Sequence, residues 1–141
     1  MVEFALVLVL LLLIIFGFLQ FGIAMNAKID STHLTAEGAR YIAVNQNPGD
    51  PETLQNYIRS TADTADLRDT AAVCVEYPTN PETSTAAKIG DPVRVTMSYS
   101  YDDLIPLVGD AVGGLASLVV TSEATMRLEA LPTKIAAGCT T

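Results

Sequence analysis

Apolar residues fill the start of the chain almost without interruption. No charged residue lies between Glu3 and Lys28, and the run from Phe4 to Leu19 is nearly unbroken. As an α-helix, the 24 residues between the two charges would be about 36 Å long, which is enough to cross a bilayer core of about 30 Å. The pattern predicts an apolar helix over residues 1–25 that is enclosed by a membrane or by other helices.

The same helix is predicted to continue into an amphipathic half, residues 26–47. From Met25 to Val44 there is no proline, and apolar or small residues recur at helical spacing. The segment Asn45–Gly49 then supplies a stop signal, so we expect one helix from about Val2 to Gln46. Its buried face is expected to hold Ala24, Ala27, Ser31, Leu34, Gly38 and Tyr41, with Ile29, Ala36, Ala39 and Ala43 nearby.

A small globular part, residues 48–141, is expected to follow. Asp50 as the N-cap and Pro51 as the first helical residue predict a short helix that ends at about Thr61. The stretch 63–69 is polar and is predicted to be a linker. The buried face of the short helix is expected to be Leu54, Tyr57, Ile58 and Thr61.

Three strands are predicted in the globular part. The first runs from Ala71 to Tyr77. The second, Val93–Tyr101, and the third, Leu118–Leu128, alternate apolar and polar residues with the period of a half-buried strand. A loop is predicted at 79–85, and the apolar residues among 102–115 predict a short helix or a flap. The fold class is therefore α+β, with the long N-terminal helix packed on a small antiparallel sheet.

Charge and composition argue against several functions. The formal net charge is −8, and the eight cations are scattered along the chain. A nucleic-acid-binding surface needs a basic stripe that releases counterions, so no nucleic acid partner is expected. No metal or other cofactor is expected either, because the chain has one histidine and no CxxC spacing.

No group of residues has the pattern of an active site. The single histidine, His33, lies on the predicted long helix, where a surface or interface position is expected. The acidic pairs at 63/66 and 102/103 lack convergent partners and a glycine-rich phosphate loop. We therefore expect that the protein is not an enzyme.

The two cysteines, Cys74 and Cys139, are predicted to form a disulfide. Closing a loop of about 65 residues stabilises the fold by about 4 kcal/mol in the chain-entropy model. Such a bond persists only in an oxidising compartment, which indicates a location outside the cytoplasm. The alternative is two buried free thiols.

Glu3 and two glycines are unusual positions in the apolar helix. A carboxylate at the edge of such a helix needs interfacial water or a cation. Glu3 therefore either lies at the headgroups near the positive end of the helix dipole or pairs with the N-terminal amine of a neighbouring copy. Gly17 and Gly22 each cost roughly 1 kcal/mol relative to alanine, and they favour either close helix packing or local unwinding during assembly.

Three segments resemble TadE-like proteins, the pseudopilin relatives of type IV pilins in tight-adherence (Tad or Flp) pilus systems. The segments are Val2–Leu8 with the leucine-rich stretch that ends at Gly22, Glu37–Val44, and the run from Val93 through Pro106 and Leu107 to Glu129. The chain departs from the family in two respects. The family usually has a couple more residues before this glutamate, and many members carry proline where Val9 stands.

The resemblance implies a pilin-like fold and a role in assembly for Glu3, which would register the subunit in a growing fibre. It also implies a precursor with a short basic leader that a prepilin peptidase removes on the cytoplasmic side. The expected partners are copies of this chain or other pilins in a helical filament, and the inner-membrane assembly machinery. The chain would lie in the cytoplasmic membrane before assembly and in a cell-surface filament afterwards.

Two functions stay open from the sequence. The first is a structural subunit, major or minor, of an extracellular type IV-like Tad pilus that serves adhesion or surface attachment. The expected assembly residues are Glu3, Phe4, Leu8, Leu12, Phe16, Gly17, Phe21 and Gly22. The alternative is a single-pass membrane protein whose domain binds a partner at the cell surface or in the periplasm.

Overall fold

The computed structural model describes residues 2–78, 87–102 and 117–140. The α+β architecture predicted from the sequence, a long helix on a small antiparallel sheet, is confirmed. The loop predicted at 79–85 and nearly all of the apolar segment at 102–115 lie outside the described residues. The elements are α1 (Val2–Ala43), α2 (Leu54–Ser60), α3 (Ala65–Thr70), β1 (Ala72–Glu76), β2 (Pro92–Asp102), β3 (Ser117–Arg127) and β4 (Gly138–Thr140).

Helix α1 is continuous and ends in a left-handed turn within its predicted stop signal. The backbone of Asn45 has a φ of 53°, a conformation that asparagine tolerates better than most residues. The Asn45 N–H donates to the Ile42 carbonyl at 3.0 Å, and the Gln46 N–H donates to the Tyr41 carbonyl at 2.9 Å. These two bonds form a Schellman motif, so the helix stops at Ala43, three residues earlier than predicted.

The described strands form an antiparallel sheet in the order β3-β2-β1-β4. Its buried face packs on α1, and Met97 lies in the middle of that face between Val73 and Ser122 on the neighbouring strands. The alternation predicted for the third strand is confirmed. Even-numbered residues from Val120 to Met126 are buried or half-buried, and the odd-numbered residues between them are exposed.

The second half of α1 packs on the sheet through small and branched residues. Ala39 and Ile42 are fully buried. Gly38 lies so close to Ile58 of α2 that a Cβ at position 38 would collide with the isoleucine side chain. These residues join α1, α2 and the sheet in one core. The expectation that Ile29 lies near this face is wrong, because its side chain is 55 % exposed on another side of the helix.

The predicted start of the second helix is also wrong. Residues 49–52 form a hydrogen-bonded turn, so Asp50 and Pro51 precede the helix. Thr53 is the N-cap, and its hydroxyl accepts a hydrogen bond from the Asn56 N–H at 3.3 Å. Threonine is a favourable N-cap because its hydroxyl accepts a hydrogen bond from a backbone N–H that the first helical turn leaves unpaired.

Two further predictions for this region need correction. Thr61 is exposed and caps the C-terminal end of α2, while Gln55 takes a buried position beside Leu54. The segment predicted as a polar linker contains α3. A single apolar residue, Leu67, is 1 % exposed, and burying this side chain is enough to fold a six-residue helix onto the domain.

The segment 128–137, here called the strap, ties the end of α1 to the sheet. The N–H groups of Glu129–Ala130 donate to the Ala43 carbonyl at 2.8 and 3.0 Å. The Asn45 side-chain amide donates to the Thr133 hydroxyl at 2.9 Å, and its oxygen accepts a hydrogen bond from the Lys134 N–H at 3.1 Å. Asn45 therefore both ends the helix and binds the strap.

Strand β4 follows the strap and pairs with β1. Cys74 lies directly opposite Cys139, and the two sulfurs are bonded, in agreement with the disulfide expected from the sequence. Tyr77, after β1, donates to the Ile135 carbonyl at 3.0 Å, and burial raises the pKa of Tyr77 to about 12. The C-terminal residues are thus held by a covalent bond and by buried polar contacts.

The packing of α1 on the sheet predicts unequal effects for two isoleucines of this helix. Ile42→Ala is expected to lower the free energy of unfolding by about 2–5 kcal/mol, because it leaves a cavity in the core. Ile29→Ala, the matched control, is expected to change it by less than about 0.5 kcal/mol. Denaturant unfolding of the full chain in detergent measures both, and equal effects would contradict the packing described.

The bond between Cys74 and Cys139 predicts one linked peptide in a non-reducing digest. Reduction is expected to lower the free energy of unfolding by about 4 kcal/mol, since the unfolded chain regains the freedom of the closed loop. A variant with serine at both positions is the control, and reductant should leave its stability unchanged. Two thiols that alkylate freely in protein isolated without reductant would rule the bond out.

Candidate assembly site

The first half of α1 projects from the domain with its apolar side chains uncovered. Every large apolar residue from Phe4 to Ile23 is at least 40 % exposed. The helix is long and apolar enough to cross a membrane, by length and composition. A soluble domain rarely exposes so large an apolar surface unless it meets lipid or another protein there. The exposed part of α1 is called the rod below and comprises residues 4–25.

The predicted assembly residues lie along the rod without forming one stripe. Phe4, Leu8, Leu12 and Phe16 are all exposed, and a step of four residues rotates each by about 40° from the previous one. Their side chains therefore follow a spiral around the rod, and Phe21 lies beyond the end of that spiral. Contacts through all of them require neighbours on more than one side, as in a bundle of several helices.

Glu3 lies in the first turn of α1, while its side chain is outside the described part of the structure. Its pairing with a cation thus stays a prediction. The N-terminal turn of a helix carries unsatisfied N–H groups and a partial positive charge. That field favours a carboxylate at this position, whichever neighbour it meets.

Gly17 and Gly22 are parts of the regular helix and are open to their surroundings. A Cβ added at either position would meet nothing within 4 Å, so no contact with the described residues requires either glycine. Five residues correspond to a rotation of about 140°, which places the two glycines on different sides of the rod. Each offers a place where a second helix can approach the backbone closely.

A polar cluster fixes the rod where it meets the sheet. The Ser31 and Ser122 hydroxyls are 2.7 Å apart and buried. The Lys28 ammonium donates to the Ser122 hydroxyl at 3.1 Å and to the Thr121 carbonyl. The sequence patterns did not reveal this junction, although a serine on the apolar face of a predicted strand is a signal for a buried polar partner.

The cluster does not form an active site. A lysine beside a serine hydroxyl is an arrangement used by some hydrolases. Here Ser122 is 2 % exposed, and its hydroxyl is shared among Lys28, Ser31 and Thr32. The three contacts hold two elements together and leave the oxygen without access to a substrate.

A second surface lies along the last turns of α1. An open cleft of about 680 Å³ is lined by His33, Arg40 and Glu129 among others. Tyr41 also lines it and donates to Glu37 at 2.9 Å, and this hydrogen bond raises the pKa of Tyr41. In the described part of the chain, no three His, Cys, Asp or Glu side chains are grouped to hold a metal ion.

Residues 1–40 match the model of a family described as TadE-like protein. The match covers the rod and its junction with the sheet, and confirms the resemblance over these residues. The resemblance noted beyond Arg40 stays a prediction. None of the curated proteins and none of the solved structures searched matches the chain.

The matched family and the geometry agree on a class of protein. TadE-like proteins are a pilus-associated structural family, which relates this chain to Tad pilus proteins. An uncovered apolar helix that leaves a packed domain fits a membrane-anchored component. The described geometry is thus that of an apolar helix carried by a packed domain.

The junction predicts a stability cost for Ser122→Ala. Removing the shared hydroxyl leaves the buried Ser31 side chain without this partner, and we expect a loss of about 1–2 kcal/mol in the free energy of unfolding. Thr125→Ala, on the exposed face of the same strand, is the matched control and should change it by less than about 0.5 kcal/mol. Equal losses in chemical unfolding would show that the cluster does not stabilise the junction.

Proposed function

We propose that this chain is a structural subunit, a major or minor pilin or pseudopilin, of an extracellular Tad pilus. The observation that carries the proposal is the rod, an apolar helix whose large side chains are exposed from Phe4 to Ile23 and which is continuous with a packed domain. Lipid solvates this surface before assembly, and the helices of other subunits solvate it in the filament. The match to TadE-like proteins over the rod supports the same conclusion.

The fixed junction suits a subunit that is moved as one body. Just beyond the rod, Lys28 and Ser31 tie α1 to β3, and the strap ties the far end of α1 through Ala43 and Asn45. Helix and sheet are thus joined at two points about 18 Å apart along the helix. A force applied to the domain would reach the rod through both attachments.

The proposed partners follow from the chemistry of the rod. In the filament these are copies of this chain or other pilins, because their apolar helices offer the same surface. In the cytoplasmic membrane they are the assembly machinery and the prepilin peptidase that acts on the precursor. The proposed sequence of locations is the membrane first and the cell-surface filament afterwards, where the protein serves adhesion or attachment.

Glu3→Ala is expected to abolish surface filaments while the amount of protein in the membrane stays normal. The carboxylate registers the incoming subunit, whereas anchoring depends on the apolar residues that follow it. Electron microscopy of sheared surface material and immunoblots of membranes measure the two effects. Glu3→Gln separates charge from shape, and Glu52→Ala in an exposed turn is the control for loss of one acid. Unchanged piliation in Glu3→Ala would count against the assembly role.

The alternative function, a membrane-anchored binding protein, is favoured by the cleft beside Arg40. The cleft is concave, and charged side chains such as Arg40 and Glu129 line it together with apolar ones. The Glu3→Ala experiment separates the alternatives, because a plain anchor needs no carboxylate at its tip. Filaments that contain this chain in wild-type cells would exclude a role limited to anchoring.

A further inference from the structure

The disulfide lies on the face of the sheet that α1 does not cover. On β1, Val73 and Val75 are buried in the core, whereas Cys74 between them is half-buried and belongs to the opposite face. Its partner Cys139, on β4, is exposed. The bond is therefore within reach of a reagent outside the domain, and its two sulfurs differ in access.

The two sulfurs also have different neighbours on this outer face. The sheet order places Cys74 on an inner strand and Cys139 on an edge strand of the described sheet. Thr96 of β2 is directly opposite Cys74, on the side away from Cys139. Arg94 and Ser98 flank Thr96 on the same face, and all three are half-buried. Among the described residues, no further strand pairs with the outer edge of β4.

Thiol–disulfide exchange is sensitive to this difference. A thiolate attacks one sulfur of a disulfide while the other sulfur leaves as a thiolate, and the rate depends on access to the sulfur attacked. The nucleophile approaches from the side away from the leaving sulfur. For Cys74 that side carries Thr96 and its two neighbours, whereas for Cys139 it is the outer edge of β4.

Contacts that do not involve the disulfide hold the segment before β4 in place. Ile135 is buried, and its carbonyl accepts a hydrogen bond from the Tyr77 hydroxyl at 3.0 Å. The Gln55 side-chain amide donates to the carbonyls of Ala136 and Gly138 at 3.2 and 3.4 Å. Strand β4 also pairs with β1. A reduced chain therefore still presents its two thiols opposite each other.

We propose that Cys139 is the sulfur through which a protein dithiol–disulfide oxidoreductase forms or opens this bond, with Cys74 as the resolving thiol. In the oxidising direction, the Cys139 thiolate attacks the disulfide of the oxidoreductase, and one thiolate of that enzyme leaves. The Cys74 thiolate then attacks the Cys139 sulfur of the mixed disulfide, and the second thiolate leaves. Two electrons and two protons pass to the enzyme, which ends as a dithiol.

The fold places this reaction after folding of the sheet. The chain has two cysteines, so one intramolecular pairing exists and no isomerisation of wrong pairs is required. The class of reaction that must act on this chain is thus dithiol oxidation at an exposed sheet edge. The inference concerns the packed domain and does not depend on the proposed role in a pilus.

Single-cysteine variants of the full chain in detergent measure the access of each thiol. Cys74→Ser retains Cys139, and Cys139→Ser retains Cys74. Each variant is treated with glutathione disulfide, and mass spectrometry follows the mixed disulfide. The Cys139 thiol is expected to react at least about tenfold faster than the Cys74 thiol, and the two rates should agree within about threefold in guanidinium. Equal rates in the folded variants would overturn the proposal.

A substitution on the neighbouring strand tests the cause of the difference. Thr96→Ala, added to Cys139→Ser, is expected to raise the rate at Cys74 at least about threefold, because it opens the side from which the nucleophile approaches. Thr125→Ala in the same background is the matched control, since Thr125 lies one strand further away, and it should leave the rate unchanged. An unchanged rate with Thr96→Ala would overturn the proposal.

The wild-type chain supplies a measurement that does not depend on the folding of the variants. The oxidised protein is treated with reduced glutathione, free thiols are alkylated, and peptide mapping locates the glutathione. Glutathione on Cys139 with the alkyl group on Cys74 is expected to exceed the reverse pattern at least about tenfold. Equal amounts, an excess on Cys74, or no glutathione on either cysteine would overturn the proposal.

Discussion

The packing of the second half of α1 on the sheet is the constraint on which the rest of the molecule depends. An apolar helix cannot stand alone in water, and a four-stranded sheet needs a cover for its apolar face. Ala39 and Ile42 meet Val95 and Met97 in one core, so each element supplies what the other lacks. Among the residues that the structure describes, the large apolar side chains of the rod have no such partner and stay exposed.

The C-terminal residues complete this arrangement by returning to the end of α1. The strap satisfies the Ala43 carbonyl and the Asn45 side chain, groups that the end of a helix otherwise leaves to water. The disulfide then holds β4 beside β1. A domain of this size has a limited core, so a covalent bond at the edge of the sheet adds stability that the core alone does not supply.

The elements that depend on local periodicity were predictable, and so was the bond between the two cysteines, whereas most other tertiary contacts were not. The alternation of Val93–Tyr99 and the stop signal at Asn45 were read correctly because each follows from neighbouring residues. The start of α2 was misplaced because Asp50-Pro51 suits a turn as well as a helix start. Strand β4 has three residues and exists only because it pairs with β1, a contact that no local pattern reveals.

The candidate site also has a part that the sequence predicted and a part that it did not. The rod was evident from its uninterrupted apolar residues, but its junction required the distance between Ser31 and Ser122, which are far apart in the sequence.

Transfer from lipid to a helix bundle exchanges one apolar environment for another, and hydrophobic burial therefore favours neither strongly. What distinguishes the two environments must come from features that lipid cannot match. These features are the charge of Glu3 and the close approach permitted at Gly17 and Gly22. A rod made only of leucine would be anchored as firmly, but it would have no preference for the helix bundle over the bilayer.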